Sequence, residues 1–165
     1  MNSAQMRARE IRRRYHFTRP SDIERVLKAK NIQVVRFPLK GRVKEMIVFN
    51  IVGLPLSVER DSREVHELLA HALGHYLLHA GNQPFSHLDK DRVVAWQWEH
   101  QAWDFAYELL MPADTLGRLL QQTLSDADLG EHFQVSEEFF RKRMEAFREE
   151  CAGRVESTLL TVAEI

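Results

Sequence analysis

The sequence predicts an α+β protein, with a small antiparallel sheet of about three strands near the N-terminus and a mainly helical half after it. Three observations carry that reading. Residues 32–37 and 43–51 are rich in β-branched and aromatic side chains, and Pro38, Gly41, Gly53 and Pro55 bound them. From Asp61 onward, apolar residues recur at three- and four-residue spacing. No repeat, low-complexity stretch or linker interrupts the 165 residues, so the whole of 1–165 is read as one domain.

Residues 1–19 are read as a basic N-terminal helix, with 4–15 helix-compatible and polar. Arg7, Arg9, Arg12, Arg13 and Arg14 leave few apolar side chains to bury. This segment is therefore expected to guide a partner rather than to build the core. Ser21 or Asp22 can cap a helix after Pro20, with Ile23, Val26 and Leu27 on one face. Ile32 to Phe37 reads as the first strand, Val43 to Ile51 as the second, and Leu56 to Val58 as a short third.

A helix follows from about Asp61 to His79, capped by Asp61 or Ser62 and closed by Gly81 and Pro84. Its apolar positions are Val65, Leu69, Leu73, Tyr76 and Leu77. Residues 80–91 form a loop, a second long helix runs from Arg92 to Met111, and Pro112 opens a further segment. Residues 125–150 read as a C-terminal helical hairpin, two short helices joined near Val135 and Ser136. Residues 154–165 end in a small apolar stretch.

Composition limits the function classes. Hydrophobic residues at 44% and charged residues at 28% are ordinary for a soluble globular chain, which excludes a largely disordered or collagenous one. The single cysteine, Cys151, excludes an intrachain disulfide and fits a reducing compartment. No apolar run approaches the ~18 residues of a spanning helix, and no secretory leader is visible. The expectation is a cytoplasmic protein without membrane contact. Residues 1–30 carry nine basic side chains against three acidic ones, a feature that can serve nucleic acid or an acidic partner. A solvated helix face is the plainer reading, and a net charge of −1 gives no general support for direct nucleic-acid binding.

Four of the eight histidines, His66, His71, His75 and His79, fall in one helix. Residues four apart share a helix face, so His71 and His75 can aim at one ion, as in the H-E-x-x-H metal motif. Here the segment reads His71-Ala72-Leu73-Gly74-His75: the spacing is present and the glutamate is not. His79 cannot be the third ligand, because eight residues of helix rise about 12 Å. The longer motif that ends in a third histidine fails too, with Leu78 at its glycine and Gly81 at its histidine. The third ligand must come from another element. Glu99, His100, Asp104 and Glu108 on the next helix are candidates, as are Asp89 and Asp91 in the loop. A carboxylate would complete the His₂Glu set of catalytic zinc. His66 and His79 read as packing residues.

Leu69-Ala70-His71-Ala72-Leu73-Gly74-His75-Tyr76-Leu77-Leu78-His79 and Glu99-His100-Gln101-Ala102-Trp103-Asp104-Phe105-Ala106-Tyr107-Glu108-Leu109-Leu110-Met111-Pro112 together resemble the ImmA/IrrE family of zinc metallopeptidases. The first segment matches the family pattern except at Ala72, where the family has glutamate. The second matches except at Trp103, where the family has asparagine. Ile47 to Asn50 upstream, and Phe133, Val135, Ser136, Arg141 and Arg143 downstream, also fit, so the resemblance spans roughly residues 20–145. It implies that the helical half is a zinc-metallopeptidase core, with His71, His75 and Glu99 as Zn²⁺ ligands and His100 as the fallback for the third. At position 103, it puts a hydrogen-bonding partner for the site in doubt.

The resemblance further implies a cytoplasmic zinc endopeptidase whose substrate is a helix-turn-helix transcriptional repressor, cleaved to relieve repression. Ala72 stands where the general base belongs and cannot move a proton. Glu67, one turn back and on the other side of the histidine pair, is a poor substitute. Either a glutamate was replaced deliberately or the chain is a natural non-catalytic form; the intact surroundings favour replacement. Zinc binding is expected to survive, because that glutamate is not a ligand. Substrate is expected to lie along a strand edge at residues 43–50. Tyr76, His87 and Tyr107 are candidates for stabilising the oxyanion. The alternative function is a non-catalytic zinc-fold protein that sequesters a repressor or toxin partner. A helix-turn-helix flavour over Leu129 to Met144 reads rather as a hairpin closing the fold.

Overall fold

A computed structural model describes residues 1–38, 45–59, 62–79 and 92–163. In chain order the elements are α1 (Ser3–Arg14), a 3₁₀ turn (Pro20–Asp22), α2 (Ile23–Ala29), β1 (Gln33–Phe37), β2 (Met46–Val48), β3 (Ile51–Pro55), α3 (Arg63–Leu78), α4 (Arg92–Leu110), α5 (Ala113–Leu119), α6 (Asp126–Phe133) and α7 (Glu137–Ala163). The α+β class holds. Among the described residues, no helix is long and apolar enough to cross a membrane. Gly41, Val43, Asp61, Gly81, Pro84, His87, Asp89 and Asp91, all named by the sequence reading, lie outside the described residues.

The sheet is mixed rather than antiparallel. Its order is β1-β3-β2, with β1 parallel to β3 from Gln33↔Ile51 to Phe37↔Pro55, and β2 antiparallel to β3. The stretch read as one strand over 43–51 folds back on itself. Val48 pairs with Ile51, leaving Phe49 and Asn50 as a two-residue hairpin turn. Phe49 takes φ 52, the left-handed conformation that such tight turns demand at their first central position. The third strand is therefore Ile51–Pro55, not Leu56 to Val58. It takes the centre because Val52 and Leu54 are fully buried, and reversal at the hairpin then sets it parallel to β1. The segment after it is tied down by Arg36, whose guanidinium donates to the Pro55 and Val58 carbonyls.

Ser62 caps α3, its Oγ accepting from the Val65 amide. α3 packs on α4 at close range. A Cβ built on Gly74 would lie 2.9 Å from the Ala102 carbonyl oxygen and 3.0 Å from Ala102 Cα, so only glycine lets these backbones meet.

The expectation that the basic N-terminus stays out of the core is overturned. α1 lies along α4 and buries Ala4, Ala8 and Ile11 in the main core. Small side chains at 4 and 8 allow the close approach, and the arginines reach past them to fixed partners. Arg9 Nε donates to Glu108 Oε1 at 2.7 Å, and Arg12 donates to the Leu109 carbonyl. Glu108, 1% exposed, also accepts from the Ala113 amide that opens α5 and from Arg143. Arg143, fully buried, donates as well to the Met111 carbonyl and to Glu150. Glu108 and Arg143 thus each have an opposite charge and hydrogen bonds, the condition under which burial is tolerated.

At the C-terminal end, Ser125 and Asp128 form a capping box for α6, and Gln134 at φ 54 closes it. The second helix of the expected hairpin is longer than read: α7 spans Glu137–Ala163, well past residue 150. Ser136 sets its start, its Oγ accepting from the Phe139 amide. Nothing crowds Gly153, and the helix runs through it.

Candidate metal centre

His71 and His75 sit one turn apart on α3, their rings edge to face with centroids 4.6 Å apart. Glu99 enters from α4. Its Oε1 lies 3.2 Å from His75 Nε2, and its Oε2 lies 3.4 Å from His71 Nε2. One ligand atom from each of the three residues lies within 4.8 Å of the others. The helix pairing pinned by Gly74 thus selects one carboxylate among the candidates on α4.

The other candidates on α4 point elsewhere. His100 is exposed and turns to Trp96, ring centroids 4.1 Å apart. Asp104 accepts the Asn2 side-chain amide at 2.7 Å, and Glu108 belongs to the arginine network. His79 is buried and packs as expected: its Nε2–H donates to the Trp98 carbonyl, and its ring stacks on that indole.

His71 is 2% exposed, and its Nε2 is buried with no hydrogen-bond partner. An orphaned buried nitrogen is costly unless something else takes its lone pair. Two imidazoles and a carboxylate converging on that atom are a donor set suited to a divalent cation such as zinc. The electrostatics agree. Burial alone would lower the pKa of His71, but Glu45 and Glu99 overcome it and raise the value to about 9. Burial opposes ionisation of Glu99, yet the two histidines hold its carboxyl well below the usual range.

Two further side chains contact His71: Glu45, which the sequence pattern does not signal, and Trp103, the position already marked as departing from the resemblance. Glu45, immediately before β2, accepts a hydrogen bond from His71 Nδ1. It lies 26 residues upstream, and only the packing of β2 against α3 brings it in. Trp103, one turn along α4 from Glu99, stacks on the His71 ring with centroids 4.0 Å apart and planes 20° apart. Where the family carries asparagine, an aromatic face replaces a hydrogen-bonding group. Beyond Trp103 the aromatic contacts run on, tilted to Tyr107 and edge-to-face from Tyr107 to Phe139 on α7.

Ala72 is buried, at 1% exposure. Glu67 is committed elsewhere, accepting the Ser136 amide at 2.6 Å and the Ser136 hydroxyl at 2.9 Å. It fastens the start of α7 to α3 and is not available as a base. Burial raises its pKa, and the Ser136 bonds work against that rise. Of the oxyanion candidates, Tyr76 is half-buried, and Tyr107 is 9% exposed with its hydroxyl pushed up to about 12, chiefly by burial.

A family model of the M78 peptidases, described as the IrrE N-terminal-like domain, matches residues 27–145. That span holds α3, α4 and all three converging side chains, while α1 precedes it and most of α7 follows it. No curated protein matches the chain. With the matched span covering most of its length and the histidine pair and carboxylate converging inside it, this chain belongs to the IrrE N-terminal-like family of peptidases.

Proposed function

We propose that this chain is a cytoplasmic zinc endopeptidase, inactivated at position 72, whose substrate is a helix-turn-helix transcriptional repressor. Cleavage by the active form would relieve repression. The convergence of His71, His75 and Glu99 carries the reading. When bound, zinc supplies Lewis acidity, acidifying a water and polarising a peptide carbonyl. The chain's own residues do the rest. The two imidazoles and Glu99 would hold the ion with three protein ligands, the number usual for a catalytic rather than a structural zinc. β2 is an edge strand beside α3, so an extended peptide can add to it by main-chain hydrogen bonds. A carboxylate at position 72 would take and return the proton, and the methyl of Ala72 cannot.

A second reading, a non-catalytic zinc-fold protein that sequesters a repressor or toxin partner, is favoured by the enclosure of Ala72, which is 1% exposed. One experiment separates the two. The chain as written and an Ala72→Glu variant are each loaded with zinc and incubated with a helix-turn-helix repressor, and the substrate band is followed over time. The expected result is cleavage by the glutamate variant, faster by about 10²–10⁴-fold, as positioned acid–base groups typically provide. Equal rates would refute the assignment of the base. Tight binding by both without cleavage would transfer the conclusion to the sequestering protein.

A further inference from the structure

We propose that Glu45 and Trp103 are positioning residues that hold the His71 imidazole for a metal ion, one by its edge and the other by its face. This rests on the reading that His71, His75 and Glu99 bind a metal. An imidazole ligates through one nitrogen only if the proton sits on the other. Glu45, as acceptor at Nδ1, keeps the proton there and leaves Nε2, on the side of Glu99 and His75, to give its lone pair to an ion. One hydrogen bond still lets the ring rock about the line joining Nδ1 to the carboxylate. The Trp103 indole, stacked nearly parallel on the face of the ring, removes that motion.

The indole is itself braced. It lies against Tyr107 and Phe139, both at least nine-tenths buried, so the aromatic contacts reach from α3 through α4 to α7. Among the described residues His75 has ring contacts with His71 and His79, but its Nδ1 is buried without a hydrogen-bond partner to fix it by its edge. The site is therefore asymmetric, with His71 the fixed ligand and His75 the adaptable one. Glu45 also stands at the head of β2, the edge strand, so the grip joins that edge to the metal ligand.

The test uses the full chain with zinc, read by competition with a chromophoric chelator, and with cobalt(II), read by its visible absorption. Glu45→Ala should weaken zinc binding by about 10–100-fold, the usual effect of losing a partner of a ligating histidine. Glu45→Gln, which keeps an acceptor, should fall between it and wild type. Trp103→Leu should weaken binding by about 2- to 10-fold, and Trp103→Phe should restore most of that loss. Both disruptive variants should alter the shape of the cobalt bands, which a merely space-filling role would not. A metal-free readout is available too: the ring protons of His71 should carry an upfield NMR shift from the indole that Trp103→Leu abolishes. If Trp103→Leu fails to fold, Trp103→Phe and Glu45→Gln carry the test, since each still predicts a graded loss. Unchanged affinity and cobalt spectra across the variants would overturn the proposal while leaving the metal site standing. A wild-type chain that takes up neither metal would overturn both.

Discussion

Raising the pH of the metal-free chain from 6.5 to above 9 should destabilise it by about 3 kcal/mol, through His71 alone. In the folded chain Glu45 and Glu99 outweigh burial and raise this imidazole to about 9, whereas an unfolded histidine titrates near 6.5. A group whose folded pKa is raised contributes stability that is complete below its unfolded pKa. That stability drains away as pH climbs through the window and is gone above the folded value. Roughly 2.5 units at about 1.36 kcal/mol each give the figure. At 2% exposure, little of it is lost to solvent screening. For a chain of this length the melting temperature should fall by about 6–12 °C. Glu99 does not confuse the window, because its depressed pKa yields stability that is lost only in acid. The assay is urea unfolding in excess chelator at half-unit steps of pH, repeated on Glu45→Gln, whose dependence should be much flatter. Bound zinc should reverse the trend, since the metal must displace the His71 proton and its affinity should rise with pH up to about 9. Stability of the metal-free wild type that stays level or increases between pH 6.5 and 9 would refute the reasoning, as would an equally steep Glu45→Gln curve.

Gly74→Ala should cost about 1–3 kcal/mol in urea unfolding despite alanine's better helix propensity, because the added methyl meets Ala102 backbone atoms at 2.9 and 3.0 Å. The same variant should bind zinc more weakly, since parting α3 from α4 draws Glu99 away from the histidines; a neutral or stabilising result would show that the helices can give way there. Ile11→Ala should lose about 2–5 kcal/mol, the range for a buried aliphatic truncation. If it loses under 1 kcal/mol and residues 1–14 can be removed without lowering the melting temperature, α1 is not part of the core.

Periodicity located every long helix near the site, because an amphipathic helix declares its buried stripe within a few turns. The four-residue spacing of His71 and His75 likewise announced a shared face, a fact fixed by helix geometry. Strands were harder. Val43 to Ile51 reads as one strand because a two-residue turn at Phe49 and Asn50 contains no glycine or proline to mark it. The pairing of β1 with β3 was out of reach, since a strand's neighbour is chosen by burial of the whole sheet. The basic N-terminus misled for a related reason. Five arginines suggested a solvated arm, and the three side chains that matter, Ala4, Ala8 and Ile11, form a stripe too sparse to stand out.

The sequence by itself determined the α+β class, the histidine pair, the absence of a general base at position 72 and, through two short segments, the resemblance to a zinc-peptidase family. The resemblance already implied Glu99 as the third ligand; the tertiary structure showed how it comes to face the histidines while Asp104 and Glu108 are engaged elsewhere, a geometry the Gly74 contact with Ala102 enforces. It alone brought Glu45 and Trp103 onto His71, and it gave Glu67 to Ser136. The physical reason is range. Backbone spacing orders side chains along one element over a turn or two, whereas groups 26, 32 or 69 residues apart meet only when separate elements pack.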